Sequence, residues 1–270
     1  FSSTNEDAAA TLDLSTLTND VDGDALTYDM PTGPSNGTAS ISGTTATYTP
    51  DSNWNGTDTF TYEVYDGIAD VVVETVTITV NAVNDVPVSS DLSVSEDEDS
   101  GLFGFDLPAT DIETDDTNLS HIIVSLPSNG ALFHDQAPPN NDISAGETLS
   151  TSRIVYEPNA NWNGTDTFTY KSNDGTDDSN IATVSITINP VNDAPVANDV
   201  TAQMDENRIN GRYQPVNVTL DATDVEGDDL TYILVSEGND GTASVGNGIL
   251  TYTPNQDWNG TTTLLYKAND

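Results

Sequence analysis

Apolar and polar residues alternate along this chain with a period of two. Phe60, Tyr62 and Val64 fall on one face of an extended segment and Thr59, Thr61 and Glu63 on the other, while Phe168 and Tyr170 repeat the pattern between Thr167 and Thr169. Such alternation predicts half-buried antiparallel strands. The stretches Val71 to Val80 and Ile181 to Ile188 alternate likewise and are rich in β-branched residues, which suit a pleated surface. Asp66-Gly67 and Asp174-Gly175 separate the paired strands as turn signals. No helical apolar period runs longer than a turn or two. Short strands punctuated by Gly, Asn, Asp and Pro predict an all-β chain of sandwich domains.

The strands sit inside a repeated phrase. It reads Y-T-P-D-S-N-W-N-G-T-D-T-F-T-Y from Tyr48, Y-E-P-N-A-N-W-N-G-T-D-T-F-T-Y from Tyr156 and Y-T-P-N-Q-D-W-N-G-T-T-T-L-L-Y from Tyr252. A period of roughly a hundred residues is too long for a solenoid and suits a domain with its own core. We expect module one at residues 1–85, incomplete at its start, and module two at 86–193, with an insertion in its middle. Module three, at 194–270, stops before a last strand, so a longer parent protein is expected.

Forty-five Asp and Glu against five Lys and Arg give a net charge of −40. That argues against nucleic acid or an anionic membrane as partner and favours cations. Disorder, the other reading of an acidic chain, does not fit apolar residues that are periodic. Adaptation to high salt is a competing account; it predicts charge spread evenly, whereas ligands recur at fixed places. There is no cysteine, so no disulfide contributes to stability. No apolar run approaches the length of a membrane span, so direct membrane insertion is not expected.

The carboxylates do recur. Each module has an early Glu, namely Glu6 in N-E-D, Glu96 in S-E-D and Glu206 in D-E-N. Each has a D-x-acid triplet between strands: Asp20 and Asp22, Asp111 and Glu113, Asp224 and Glu226. Asp58 and Asp166 follow the Trp, and Asp66, Asp174 and Asp270 end the next strand. Between modules lie V-N-A-V-N-D-V-P-V, with Asn81, Asn84 and Asp85, and I-N-P-V-N-D-A-P-V, with Asn189, Asn192 and Asp193. Carboxylates, amides and backbone carbonyls are the hard oxygen donors that calcium prefers. Only His121 and His134 could serve a softer transition metal, which argues against zinc or copper. Asp20 to Asp24 does not begin an EF-hand loop, because Ala25 stands where that loop needs Gly and Pro31 where it needs Glu. A single Asp in a turn more often caps or bends the backbone, and the recurrence of the whole set in register is what favours a metal.

With these motifs the chain resembles the bacterial cadherin-like, or Ig-like, tandem repeats of large surface adhesins and extracellular multidomain proteins. The resemblance rests on the E-D opening, the D-x-acid triplet, the Y-x-P…W-N-G-T-D-T-F-T-Y run, the D-G turn and the N-D-x-P-V linker, and it covers all three modules. It implies three tandem cadherin-like Greek-key β-sandwich domains arranged end to end, with calcium between successive domains. Carried over by motif, the first junction would use Glu6, Asp58, Asn81, Asn84, Asp85, Asp111, Glu113 and Asp174. The second would use Glu96, Asp166, Asn189, Asn192, Asp193, Asp224, Glu226 and Asp270. Asp20, Asp22 and Asp66 would be the lower half of a junction with a preceding module. Asn81 and Asn189 stand where the cadherin linker carries Asp, and Thr262 replaces the Asp expected after Trp258.

The function expected from the resemblance is a calcium-rigidified extender with a role in cell adhesion, on the surface of a bacterium or secreted from it. A surface glycan or another cell-surface protein would be its partner. The alternative is a carbohydrate- or protein-binding module that uses the insertion after Gly130 or an exposed tryptophan face. Each Trp has a plainer reading as a lid over the end of its sandwich core, with Pro50, Pro158 and Pro254 aiming the chain into the turn. Six N-x-S/T sequons, among them Asn55 and Asn163, read first as turns. An enzyme is not expected: both histidines lie in module two without a nucleophile motif nearby.

Overall fold

The computed structural model describes residues 3–68, 71–135, 142–204, 208–209 and 212–270. Each module builds two facing sheets. In module one a four-stranded sheet runs in the order Ser3–Asn5, Val72–Asn81, Gly56–Tyr65, Thr27–Thr32, and it faces a three-stranded sheet of Ala10–Asp13, Thr45–Pro50 and Gly37–Ser42. Module two repeats this plan with Leu92–Asp97, Ala182–Asn189, Gly164–Asn173, Ser120–Ser125 and Thr148–Leu149 in the larger sheet. Its smaller sheet holds Phe103–Asp106, Arg153–Pro158 and Gly130–His134. In both modules the first strand of the larger sheet runs parallel to the last, Asn5 opposite Asn81 and Asp97 opposite Asn189.

The alternation decides which residues fill the space between the sheets. Phe60, Tyr62, Val76, Ile78 and Val80 are buried in module one, as are Phe168, Tyr170, Val184, Ile186 and Ile188 in module two. Val71, Val72, Val73 and Ile181 belong to the same apolar runs but lie at the exposed ends of their strands. Module three keeps a smaller core around Leu220, Leu250 and Tyr252. There, among the described residues, Leu265–Asn269 pairs with Thr231–Ser236, and a cleft of about 860 Å³ opens beside Trp258 and Leu264.

Each tryptophan is half-buried and lies against the glycine two residues on. Gly56, Gly164 and Gly260 adopt φ of 140°, 134° and 144°. A side chain at Gly56 would meet Trp54 at 3.0 Å, so the W-N-G turn needs glycine both for its backbone and for the ring above it. Trp54 and Trp162 pack on their module cores, in keeping with the plainer of their two readings. Among the described residues no helix is long and apolar enough to cross a membrane.

Candidate metal sites at the module junctions

The D-x-acid triplet folds the same way three times. Asp20 Oδ1 accepts from the backbone N–H groups of Asp22, Gly23 and Asp24, Asp111 Oδ1 from those of Glu113 and Thr114, and Asp224 Oδ1 from those of Glu226, Gly227 and Asp228. One carboxylate oxygen thereby closes the turn. The other, Oδ2, is buried without a hydrogen-bond partner in both Asp111 and Asp224.

The linkers bring further oxygens to these turns. At the first junction Val83 N–H donates to Glu6 Oε1 at 2.5 Å, and Asp85 N–H to Glu113 Oε2 at 2.9 Å. Asn84 Nδ2 donates to Asp174 Oδ2 at 2.8 Å and to Asp177 Oδ2 at 3.2 Å. Asp174 is held below the usual carboxylate range, first by the Asp177 N–H and then by the Asn84 amide. At the second junction Val191 N–H donates to Glu98 Oε1 at 2.7 Å, Asp193 N–H to Glu226 Oε2 at 3.4 Å, and Asn192 Nδ2 to Asp270 Oδ2 at 2.6 Å. Asn81 and Asn189 sit at the last position of the closing strands, where their side-chain amides donate to Asn5 and Asp97.

A carboxylate oxygen is left unsatisfied on every side of each junction. At the first, Glu6 Oε2, Asp85 Oδ2 and Asp111 Oδ2 are buried with no partner; at the second, Glu98 Oε2, Asp193 Oδ2 and Asp224 Oδ2. Each trio takes one oxygen from the upstream module, one from the linker and one from the downstream module. Glu6 and Glu98 are only 4% and 5% exposed, so their carboxylates lack solvent to offset the missing donors. Asp193 is pushed above the usual carboxylate range by burial and then by the charges of Asp99, Glu98 and Asp224. These are hard anionic donors without a counter-charge, which fits calcium. As the side chains stand, no three acidic or imidazole groups among the described residues converge tightly enough to hold an ion.

Three sequence expectations shift. Glu98, not Glu96, corresponds to Glu6: it follows Asp97, which faces Asn189 as Asn5 faces Asn81. Glu96 instead accepts from the Ser100 hydroxyl. Asp58 and Asp166 have another task. Asp58 accepts from the backbone N–H groups of Ser35, Asn36 and Thr59 and from the Tyr48 hydroxyl, and Asp166 from those of Ser128, Asn129 and Thr167 and from the Tyr156 hydroxyl. Both are 4% exposed, and each oxygen already takes two donors, so they latch the inside of the sandwich and have no lone pair to offer a junction. Asp177, which shares the Asn84 amide, was not singled out by the repeat because module one carries Ala69 at that place. Glu206 and residues 136–141 of the insertion lie outside the described residues.

The bacterial Ig domain model matches this chain three times, at residues 1–79, 84–187 and 192–270. The chain belongs to the bacterial Ig domain family. Solved structures similar to this bacterial Ig array include cadherin ectodomains. A human CDH23 fragment, EC21–23, is 15% identical and aligns over 86% of this chain and 80% of its own with a TM-score of 0.53. Protocadherin Gamma B2 extracellular domains 1–5 are 13% identical over 98% of this chain and 57% of theirs, with a TM-score of 0.51. Both likenesses concern the fold. An endo-fucoidan hydrolase from glycoside hydrolase family 107 aligns over 91% of this chain at 22% identity, but the chain spans 37% of that enzyme and the TM-score of 0.32 carries no argument. No curated protein is similar to the chain in sequence.

Proposed function

We propose that this bacterial Ig array is a non-enzymatic extracellular stretch whose two junctions bind calcium, and that the ions stiffen it as an extender in cell adhesion. The observation that carries the reading is the trio of buried, unpaired carboxylate oxygens at each junction, drawn from two modules and the linker between them. Without an ion, each trio stands as uncompensated buried charge, which is costly. A divalent ion shared across the linker would satisfy all three oxygens and tie one module to the next. Glu113 or Glu226, Asn84 or Asn192, and Asp174 or Asp270 would complete a shell of six to eight oxygens.

Calorimetric titration with calcium tests this, with magnesium and sodium at equal ionic strength as controls. Extracellular calcium modules bind at about 0.1 to 1 mM, so about 10 mM calcium stabilises a site of 0.1 mM affinity by about 2.7 kcal/mol. Equal stabilisation by sodium would instead favour a salt-adapted acidic surface.

A further inference from the structure

Module two differs from its neighbours at one buried cross-strand pair. In modules one and three, Tyr28 faces Val64 and Tyr232 faces Ala268; in module two, His121 faces Ser172. His121 is 1% exposed and Ser172 is fully buried. The His121 Nδ1 lies 2.9 Å from Ser172 Oγ, and its Nε2 is buried with no partner. Ser172 continues the network: its Oγ is 2.8 Å from Ser89 Oγ, which is 2.8 Å from Ser179 Oγ, and Ser172 N–H donates to that same Ser179 oxygen. Asn180 closes the circuit by exchanging hydrogen bonds with the backbone of Ser89. The network thus fastens the loop that carries Asp174 and Asp177 to the strand that leaves the first linker.

We propose that His121 is an acid-sensitive switch: neutral, it holds this network shut, and protonated, it opens the loop after Asn173 at the first junction. The imidazolium has a proton on each nitrogen. The one on Nδ1 requires Ser172 Oγ as acceptor and redirects that hydroxyl's own proton within the serine network; the one on Nε2 has no acceptor. A cation buried in this way is strongly destabilising.

Among the described residues no acidic group is placed to offset it. On the neighbouring Gly164–Asn173 strand, the Tyr170 ring lies tilted beside the imidazole, Lys171 is engaged by Asp178, and Asp166 is latched by Tyr156. In the loop, Asp174 and Asp177 hold Asn84. Before Thr148–Leu149, Glu147 is bound to His134 and Ser144 N–H, while Asp91, ahead of the parallel strand, binds Thr183 N–H. Across the core, Arg153 is paired with Asp106 and Asp135. Burial alone holds His121 below the usual histidine range. A folded value below the unfolded one, about 6.5, leaves the contribution intact above that pH and removes it as pH falls.

Hydrogen-exchange mass spectrometry on the 270-residue chain, in chelator and corrected for intrinsic rates, tests the switch between pH 7.5 and pH 5.5. Peptides from module two that cover the His121 strand and the loop after Asn173 should lose protection by up to about tenfold across this interval. The matching peptides of modules one and three serve as internal controls and should change little. His121→Tyr, which restores the neighbours' residue, and His121→Gln should each abolish the difference, whereas His134→Gln should keep it. Histidine side-chain NMR on the unaltered chain decides the matter even where a variant misfolds. A His121 that protonates near its ordinary value while module two stays closed overturns the proposal, as does acid-induced opening that survives in His121→Gln.

Discussion

Replacing Asp58 by alanine removes the acceptor for four donors at once. Three are backbone N–H groups, of Ser35, Asn36 and Thr59, and the fourth is the hydroxyl of Tyr48, itself fully buried. The Tyr48 hydroxyl keeps a second acceptor in Asn36 O at 3.3 Å, but each part-buried N–H left unpaired costs about 1–3 kcal/mol, and neighbouring losses do not add fully, so Asp58→Ala should destabilise module one by about 3–5 kcal/mol. Asp58→Asn should cost less. Its amide nitrogen can face Tyr48, whose hydroxyl can turn to accept, and the group that loses its acceptor is then Asn36 N–H. The Asp58 carboxyl is pushed up most by burial, but the three backbone donors and Tyr48 together hold it below its usual range. Its contribution is therefore present above about pH 3.9, the unfolded value, and is lost as pH falls through the folded one. Hydrogen exchange over residues 45–65 measures the effect, and Asp58→Ala should speed exchange there by roughly a hundredfold or more. Calcium titration of the same variant completes the test, because a latch leaves ion binding at the first junction unchanged. A variant that is as stable as the parent but loses calcium affinity would refute this reasoning and return Asp58 to the junction.

Module three carries the converse experiment, since Thr262 stands where the latch would be and the Tyr252 hydroxyl is buried unpaired. Thr262→Asp should raise the thermal stability of that module by about 1–2 kcal/mol, and a loss of stability would show that the turn before Gly241 cannot offer its N–H groups. Glu98→Gln should weaken calcium binding at the second junction by calorimetry while Glu96→Gln leaves it intact; the opposite ranking would restore the first reading of the S-E-D-E-D segment. Gly56→Ala, at φ 140° and 3.0 Å from Trp54, should destabilise module one by about 1–3 kcal/mol in thermal unfolding, and a neutral result would show that the W-N-G turn does not need glycine.

Period and repeat made the sandwich legible from sequence, because the side chains that alternate in Phe60 to Val64 are those whose burial closes the core. The repeat also picked out Asp111, Glu113, Asp224 and Glu226, whose turn between strands is closed by the Asp side-chain oxygen accepting from the N–H groups that follow it. What it could not tell is where a carboxylate points. Asp58 and Asp166 recur in modules one and two like ligands, yet there each serves Tyr48 or Tyr156 as an acceptor inside the fold. Glu96 and Glu98 share one strand parity, and the insertion in module two removes any constant spacing to Asn189; only the parallel register of Asp97 with Asn189 separates them. His121 gave a faint signal, a histidine where two modules carry tyrosine, and its meaning depended on finding Ser172 across the sheet.

Small-angle scattering of the chain with calcium and with chelator tests the junction reading most directly. In chelator, the three unpaired carboxylates at each junction repel one another by about 1 kcal/mol per pair at 4 Å in water, and the short N-D-x-P-V linkers should act as hinges. With calcium the ligands of neighbouring modules share ions, so the distance distribution should lengthen and sharpen toward a rod and the flexibility should fall. A distribution and flexibility unchanged by calcium would contradict the extender mechanism, even with ions bound elsewhere on the chain.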